Sequence, residues 1–244
     1  ALIRSRDDFV IKPATGSGGD GILVIDGHRD GRFRTCTGVL LTQGDISHHL
    51  ANTLNGQYSL GGHSDRVMIE YRVRFDPVFD DVSYQGVPDI RIIVFRGFPV
   101  MAMVRLPTRA SMGKANLHQG AVGVGIDIAS GETLAGVLEN QPVTEHPDTG
   151  RSLGGLSVPA WQKIVLMAAR CYEMTGLGYR GVDIVLDEAR GPLMLELNAR
   201  PGLSIQIANG EGLMKRLSQI EGLEQDLTPQ DRIAESIDLF GSGV

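Results

Sequence analysis

The sequence predicts an α+β (α/β) protein with two lobes, each built from an antiparallel-rich sheet and helices. Paired apolar runs separated by turn-prone residues, at 9–12 with 21–25, 89–96 with 100–105 and 181–186 with 193–198, are typical of antiparallel hairpins. A long amphipathic run at 160–175 is typical of a helix. The length of 244 residues exceeds that of most single domains and therefore favours two lobes.

The first predicted hairpin carries a glycine-rich tip. The run from Gly16 to Gly21 fits G-x-G-x-x-G, but a strand follows where the dinucleotide fingerprint requires a helix, and no Gly-Lys-Ser/Thr closes it as in a P-loop. Two interpretations remain. One is a plain flexible tip with a solvated Lys12. The other is a flap whose N–H groups and Ser17 hydroxyl cover phosphates, with Lys12 reaching a phosphate oxygen.

The middle of the chain is predicted to contain one short helix and several strands. The helix runs from Asp45, its expected cap, to Gly56, and the adjacent His48 and His49 on it are expected to be exposed to solvent. The turn of the second hairpin is expected at 97–99. Further strands are expected at 66–73, 121–128 and 133–138, and helices at 160–175, closed by Gly176, and at 231–240.

The last predicted hairpin carries polar residues that apolar strands rarely contain. Glu196 and Asn198 lie two positions apart and share a face, which Asp183 on the neighbouring strand can join. Three converging oxygen donors suit Mg²⁺ and imply a nucleotide whose phosphates complete the coordination. Arg200 is expected on the same face, where it would stabilise charge during phosphoryl transfer. The alternative for these residues is the solvent-facing half of an alternating strand.

Composition excludes several classes of protein. A content of 42% hydrophobic and 21% charged residues is typical of a soluble globular protein, and the net charge of −6 argues against general binding to nucleic acid. No apolar run has the length of a membrane span. Only Cys36 and Cys171 occur, without metal spacing, which favours a reduced cytoplasmic protein with Cys171 in the core. The chain begins at Ala1, and we expect it to be a fragment.

Six motifs appear in the order in which ATP-grasp proteins carry them, and the chain resembles that superfamily. They are Phe9-Val10-Ile11-Lys12-Pro13, Ile69-Glu70-Tyr71, Asp89-Ile90-Arg91, Asn116-Leu117-His118-Gln119-Gly120, Gly181-Val182-Asp183 and Glu196-Leu197-Asn198-Ala199-Arg200-Pro201-Gly202. The Asn-Leu-His run and the Glu-x-Asn-x-x-Pro-Gly run are similar to those of RimK-type α-L-glutamate ligases. Those enzymes attach glutamate to a protein or peptide carboxylate.

The resemblance implies a lid subdomain at 1–73, a C-terminal subdomain with the metal site at 74–228 and a helical tail at 229–244, with ATP between the two lobes. It implies that Lys12 touches phosphate and that the loop with Gly16, Ser17, Gly18, Gly19 and Gly21 is a lid. It also implies that the backbone near Glu70, Tyr71 and Val73 meets the adenine, with Asp89 and Asn116 close to the nucleotide. It also implies that Asp183, Glu196 and Asn198 hold one or two Mg²⁺ ions, or Mn²⁺. Arg200 with Arg91 or Arg105 would stabilise an acyl phosphate. By position on strands alone, Asp89, Arg91 and Arg105 could equally be ordinary exposed residues.

The implied activity is that of an ATP-dependent carboxylate–amine ligase, in which an amine displaces phosphate from an acyl phosphate. The partners expected are ATP, a peptide or small-molecule acid, and glutamate or a similar amino acid as the amine; a homo-oligomer is left open. The alternatives are an ATP-binding regulatory module without catalysis and a phosphotransferase. ATP-grasp enzymes generally carry an upstream domain and a further phosphate-contacting lysine, and neither lies within these residues, as expected of a fragment. Residues 203–209 do not resemble those of the best-known glutamate ligases, which leaves the acceptor and the amino acid open.

Overall fold

The structure, a computed structural model, describes residues 6–16, 18–224 and 226–241. The chain divides into two compact units, residues 1–73 and residues 74–244. Within the described ranges, no helix is long and apolar enough to cross a membrane. The elements of the first unit are β1 (Phe9–Pro13), β2 (Leu23–Arg29), β3 (Arg32–Thr35), β4 (Leu40–Leu41), α1 (Gln43–Leu54) and β5 (Val67–Glu70).

The first unit is a five-stranded sheet in the order β4-β3-β2-β1-β5, with every neighbouring pair antiparallel. The predicted hairpin at 9–25 is confirmed, because β1 pairs with β2 across the glycine-rich tip. Alternate residues of the strands point inward, and they form a small core with helix α1. This core contains Phe9, Ile11, Ile25, Phe33 and Ile46.

Helix α1 begins after Thr42, so the prediction that Asp45 is its cap is wrong. The Thr42 hydroxyl accepts a hydrogen bond from the Asp45 N–H at 3.2 Å, and the Asp45 carboxylate accepts one from the Thr42 N–H at 2.8 Å. The two residues thus form a capping box, with Asp45 as its third helical position. His48 is exposed as expected, whereas the His49 ring packs on Tyr58 and hydrogen-bonds the Gly21 carbonyl.

The second unit is built on a seven-stranded antiparallel sheet in the order β10-β9-β8-β7-β6-β11-β12. The predicted strand pairs at 89–105 and 181–198 are confirmed as hairpins. Its strands are β6 (Asp89–Phe95), β7 (Phe98–Leu106), β8 (Val122–Ile126), β9 (Thr133–Leu138), β10 (Gln141–Val143), β11 (Tyr179–Asp187) and β12 (Gly191–Asn198). Its helices are α2 (Trp161–Thr175), α3 (Ile205–Ala208), α4 (Leu213–Glu221) and α5 (Pro229–Phe240), with short 3₁₀ helices at Pro77–Val82 and Leu117–Gln119.

The turn between β6 and β7 is shorter than predicted. Arg96 (φ 50°) and Gly97 (φ 87°) form it, while Phe98 and Pro99 already belong to β7. Two positive φ angles in a two-residue loop match the twist of the flanking strands, which explains why the turn lies one residue earlier.

The two faces of β11 have different surroundings. Val182 and Ile184 belong to the main core, and Arg180 on the same face donates from Nη1 to the Cys171 carbonyl of α2 at 2.6 Å. Asp183 lies on the opposite face. Helix α2 confirms the helix predicted at 160–175. Cys171 is buried in it, and Gly176, just after its last residue, has a left-handed backbone conformation. Helix α5, predicted within a tail at 229–244, packs against α2 and β7.

Candidate active site

The register of four neighbouring strands places charged residues of the second unit side by side. Asp89 of β6 is the cross-strand partner of Arg105 of β7. Arg91 of β6 is the partner of Asp183 of β11, which in turn faces Glu196 of β12. Paired residues in antiparallel strands point to the same side of the sheet, so all five lie on one face.

Two arginines share the Asp183 carboxylate. Arg91 donates from Nε to Asp183 Oδ1 at 2.7 Å and from Nη2 to Oδ2 at 2.5 Å. Arg105 donates from Nη2 to the same Oδ2 at 3.0 Å, and from Nε to Asp89 Oδ1 at 2.5 Å. Asp183 is only 2% exposed, and Asp89 and Arg91 are also buried. Asp183, Asp89 and Arg91 are therefore not the solvent-facing half of a strand, whereas Glu196 is exposed.

Burial and the arginines act in opposite directions on the acids of this cluster. Burial raises the pKa of Asp89 to about 6, although Arg105 opposes that shift. For Asp183 burial also acts upward, but the hydrogen bonds from Arg91 and the charge of Arg105 outweigh it and lower its pKa. Burial and the charge of Asp183 together raise the pKa of Glu196. The charges of Arg91 and Arg105 oppose this rise in the pKa of Glu196 without cancelling it.

The donors predicted for a metal are partly brought together. Asp183 and Glu196 face each other, and Asn198 lies two residues beyond Glu196 on the same face of β12. The Asn198 Oδ1 atom accepts a hydrogen bond from the Arg200 N–H at 3.0 Å. In the part of the chain that the structure describes, no three His, Cys, Asp or Glu side chains could hold a metal ion. Two carboxylates and one amide oxygen are nevertheless hard donors that fit Mg²⁺, and a cation there would offset the repulsion between Asp183 and Glu196.

Arg200 does not continue the strand, so the strand alternation that predicted it on the face of Glu196 and Asn198 ends before it. Strand β12 ends at Asn198, and Arg200 lies in the bend that follows, with an exposed side chain. The bend forms because the Asn198 side chain caps the Arg200 N–H.

A close contact positions this bend. A Cβ atom placed on Gly181 would lie 2.9 Å from Pro201 Cβ and 3.6 Å from Arg91 Nε. Only glycine leaves room for Pro201 to pack over β11 beside Arg91. The Glu-x-Asn-x-x-Pro-Gly segment is thereby fixed against the arginine cluster.

Two adjoining cavities open beside the cluster. The smaller, of about 40 Å³, is lined by Arg91, Met103, Arg105, Asn116, Leu117, His118, Gly202 and Ser204. The larger, of about 270 Å³, is lined by Leu117, His118, Val137, Glu139, Asn140 and Ser204. Asn116, predicted at the nucleotide, is thus beside both arginines, and its side chain caps the 3₁₀ helix by accepting from the His118 N–H.

In the first unit, Lys12 forms an ion pair with Glu70. Lys12 Nζ lies 2.7 Å from Glu70 Oε2, across the antiparallel pair of β1 and β5. Glu70 is the last residue of β5, and Tyr71 and Val73 follow it with half-buried side chains. The structure thus brings together two of the residues predicted at the nucleotide.

The glycine-rich tip is anchored at both ends. Gly16 forms an isolated bridge with Ser59, and the Gly21 carbonyl lies 3.0 Å from His49 Nε2. A Cβ atom on Gly21 would lie 2.5 Å from the Tyr58 ring. Positive φ angles occur at Gly18 (64°), Gly19 (83°) and Gly21 (76°). Ser17, predicted at the phosphates, lies outside the described residues.

Sequence reasoning missed several residues around these sites. His118 and Ser204 line both cavities; the first lies inside the Asn116–Gly120 motif, and the second lies two residues after Gly202. Glu139 and Asn140 form the two-residue turn between β9 and β10. The sequence marks this turn only by two polar residues between apolar runs. The turn lacks the glycine that is common in two-residue hairpin loops.

Comparison with known proteins places the fold. The family model described as "Sugar-transfer associated ATP-grasp" matches residues 1–222. A "Probable alpha-L-glutamate ligase" of Aeromonas salmonicida (strain A449) is 28% identical over 148 residues, which cover 60% of this chain and 38% of that protein.

Solved ligase structures are similar at low identity. The D-alanine–D-alanine ligase from Bacillus anthracis shares 16% identity with a TM-score of 0.39, over 98% of this chain and 57% of that one. A Chryseobacterium gregarium RiPP-associated ATP-grasp ligase, in complex with ADP and a leader and core peptide, shares 12% identity with a TM-score of 0.45, over 93% and 52%. The chain spans 38% of the curated relative and little more than half of these two structures.

The family match covers nearly the whole chain, and both units contain the antiparallel sheets and helices expected of an α+β ATP-grasp fold, which confirms that prediction. The chain therefore belongs to the sugar-transfer associated ATP-grasp family.

Proposed function

We propose that this chain carries the nucleotide and metal sites of an ATP-dependent ligase that joins a carboxylate to an amine through an acyl phosphate. The observation that carries the proposal is the facing pair of carboxylates, Asp183 and Glu196, beside the buried guanidinium groups of Arg91 and Arg105. Membership of the ATP-grasp family supports it.

The arginines are oriented before any substrate binds. Arg91 and Arg105 are held by bonds from Nε and Nη2 to buried carboxylates, and among the described residues the Nη1 atoms of both make no hydrogen bond. Donors fixed in a buried site stabilise developing charge without the cost of reorganising. We assign both arginines to the transferred phosphoryl group and the acid substrate, with Arg200 as a further contact.

The proposed reaction has two steps. A carboxylate oxygen of the acid attacks the γ-phosphorus of ATP and ADP leaves, and the amine nitrogen then attacks the acyl carbon, which releases phosphate and a proton. Asp183, Glu196 and Asn198 would hold Mg²⁺, which when bound neutralises charge on the phosphates. Lys12 and the Gly16–Gly21 tip are proposed phosphate contacts. The backbone near Glu70, Tyr71 and Val73 is proposed to meet the adenine, with Asp89 and Asn116 close to the nucleotide.

The substrates are proposed from a relative. The protein named a probable alpha-L-glutamate ligase is 28% identical over part of this chain, so glutamate is the first amine to test, with a peptide or small-molecule acid as acceptor.

The test is a calorimetric titration of the chain with a non-hydrolysable ATP analogue and Mg²⁺, followed by assays of phosphate release with pairs of acids and amines. We expect metal-dependent binding that Glu196→Gln and Lys12→Ala weaken. Glu188→Gln is the matched control, because Glu188 is an exposed acid in the turn between β11 and β12.

Three results would contradict the ligase proposal. Nucleotide binding without turnover for every acid and amine pair would favour a regulatory module. A phosphorylated product that persists without an amine, and forms no amide when an amine is added, would favour a phosphotransferase. Binding that is unaffected by Glu196→Gln would exclude the carboxylate pair as the metal site.

A further inference from the structure

The larger cavity has a charged wall that the proposed reaction does not use. Glu139 and Asn140 line it, at the end away from the arginines, because neither residue lines the smaller cavity. The two cavities share Leu117, His118 and Ser204 and therefore adjoin each other. A molecule that reaches the arginines through the smaller cavity would contact Glu139 with its far end.

The backbone at this wall has an unusual conformation. Glu139 has φ 48° and Asn140 has φ 64°, so both are left-handed, and they connect Leu138 to Gln141, which are paired across the hairpin. Asn accepts this conformation readily, but Glu does so at a cost that Gly would avoid. A two-residue hairpin turn of this kind requires positive φ at both positions, so the turn carries Glu139 where Gly would be less strained.

The Glu139 side chain at this wall is exposed to solvent. The guanidinium groups of Arg91 and Arg105 are bonded to Asp183 and Asp89. Among the described residues, no cation lies within ion-pair distance of Glu139. A ligand that carries a positive charge at its far end would supply the missing partner, whereas a second carboxylate would be repelled.

We propose that Glu139 is a specificity-determining residue that binds a positively charged group on the amine substrate, so that a basic amino acid is preferred over an acidic one. This inference rests on the proposed ligase function. It also differs from the expectation of glutamate as the amine. The cavity volume of about 270 Å³ lies just below the roughly 300–1,000 Å³ of drug-sized pockets and suits a molecule as small as an amino acid.

The test compares three amino acids whose side chains differ in charge: L-lysine, L-norleucine and L-glutamate. Their dissociation constants are measured by NMR titration of the whole chain without nucleotide. We expect L-lysine to bind about fivefold tighter than L-norleucine, as for an ion pair at an exposed site, and L-glutamate to bind weakest. Glu139→Gln should abolish the preference for L-lysine, and Glu139→Lys should reverse it towards L-glutamate.

The matched control is Glu145→Gln, an exposed acid just beyond β10 that does not line the cavity; it should leave the three affinities unchanged. Glutamate that binds as tightly as lysine, a lysine preference that survives Glu139→Gln, or binding of none of the three probes would overturn the proposal. Glu139→Gln should also leave binding of the ATP analogue unchanged. A lysine preference in a chain that binds no nucleotide would sustain the assignment of Glu139 and contradict the ligase function instead.

Discussion

Asp183 and Glu196 are cross-strand partners at a β-bulge between β11 and β12. Asp183 pairs with Glu196, whereas Ile184 pairs with Met194, so Leu195 is the extra residue. Bulges re-aim side chains and are common next to active sites. Here the bulge brings two carboxylates to the same position on the sheet, and only one of them is bonded to arginine. This arrangement supports the proposed cation site.

Glu196→Gln should stabilise the metal-free protein and abolish its response to Mg²⁺. Like charges opposite each other destabilise a strand pair, so we expect the free energy of unfolding to rise by roughly 0.2–1 kcal/mol in the presence of a chelator. Mg²⁺ should then stabilise the wild type by mass action but not the variant.

Urea unfolding can be followed through Trp161, the single tryptophan, which lies in α2 of the second unit. Equal stabilisation of both proteins by Mg²⁺ would contradict the assignment, and Glu188→Gln serves as control.

Arg105→Met should destabilise the second unit more than Arg91→Met. Loss of Arg105 leaves the buried Asp89 without its guanidinium partner, whereas loss of Arg91 leaves Asp183 bonded to Arg105 at 3.0 Å. Breaking a buried pair from one side costs about 3–5 kcal/mol, and we expect Arg105→Met to fall in that range.

The measurement is again urea unfolding monitored by Trp161. Arg151→Met is the control, because the exposed Arg151–Asp81 pair, at 3.8 Å, should contribute at most about 1 kcal/mol. If Arg105→Met costs no more than Arg151→Met, the buried network does not stabilise the sheet as its geometry indicates.

Local patterns predicted the strands better than the contacts between them. The hairpin that carries Asp183 and Glu196 could be predicted because both strands are apolar runs a few residues apart in sequence. The bond between Arg91 and Asp183 could not, because it joins residues 92 positions apart whose pairing depends on the register of β6 against β11. The turn at Glu139 and Asn140 was missed because it contains no glycine or proline.

Gly181→Ala should disturb the site through Pro201. The added Cβ would lie 2.9 Å from Pro201 Cβ, which is too close for van der Waals contact, so the segment after Asn198 must move. We expect a loss of about 1–3 kcal/mol in the free energy of unfolding, as for other overpacked sites, together with weaker binding of the ATP analogue. Gly178→Ala is a matched control, since nothing lies within 4 Å of its Cβ and its φ is not positive. Equal effects from both substitutions would rule out the contact with Pro201 as the cause.

Gly21→Ala and Gly19→Ala should show whether the glycine-rich tip needs glycine for its positive φ angles alone or also for the contact with Tyr58. Both glycines have positive φ, so alanine should cost about 1–2 kcal/mol at either position. Only Gly21 also faces the Tyr58 ring, at 2.5 Å, whereas nothing lies within 4 Å of a Cβ on Gly19. Hydrogen exchange of the β1 and β2 amides should therefore accelerate more in Gly21→Ala. Similar exchange in the two variants would show that Tyr58 does not anchor the tip.

Lys12→Ala should weaken nucleotide binding far more than it weakens the fold. Lys12 and Glu70 are partly exposed, and such an ion pair contributes at most about 1 kcal/mol to stability. If Lys12 contacts phosphate, Glu70 competes with the nucleotide for its ammonium group. We therefore expect Glu70→Gln to retain or improve affinity for the ATP analogue and Lys12→Ala to reduce it, measured by calorimetry.

The control is Arg34→Ala, which removes another partly exposed ion pair of the same sheet, Arg34–Asp26 at 2.8 Å. Equal losses of affinity in Lys12→Ala and Arg34→Ala would mean that Lys12 acts through the stability of the first unit and not through phosphate.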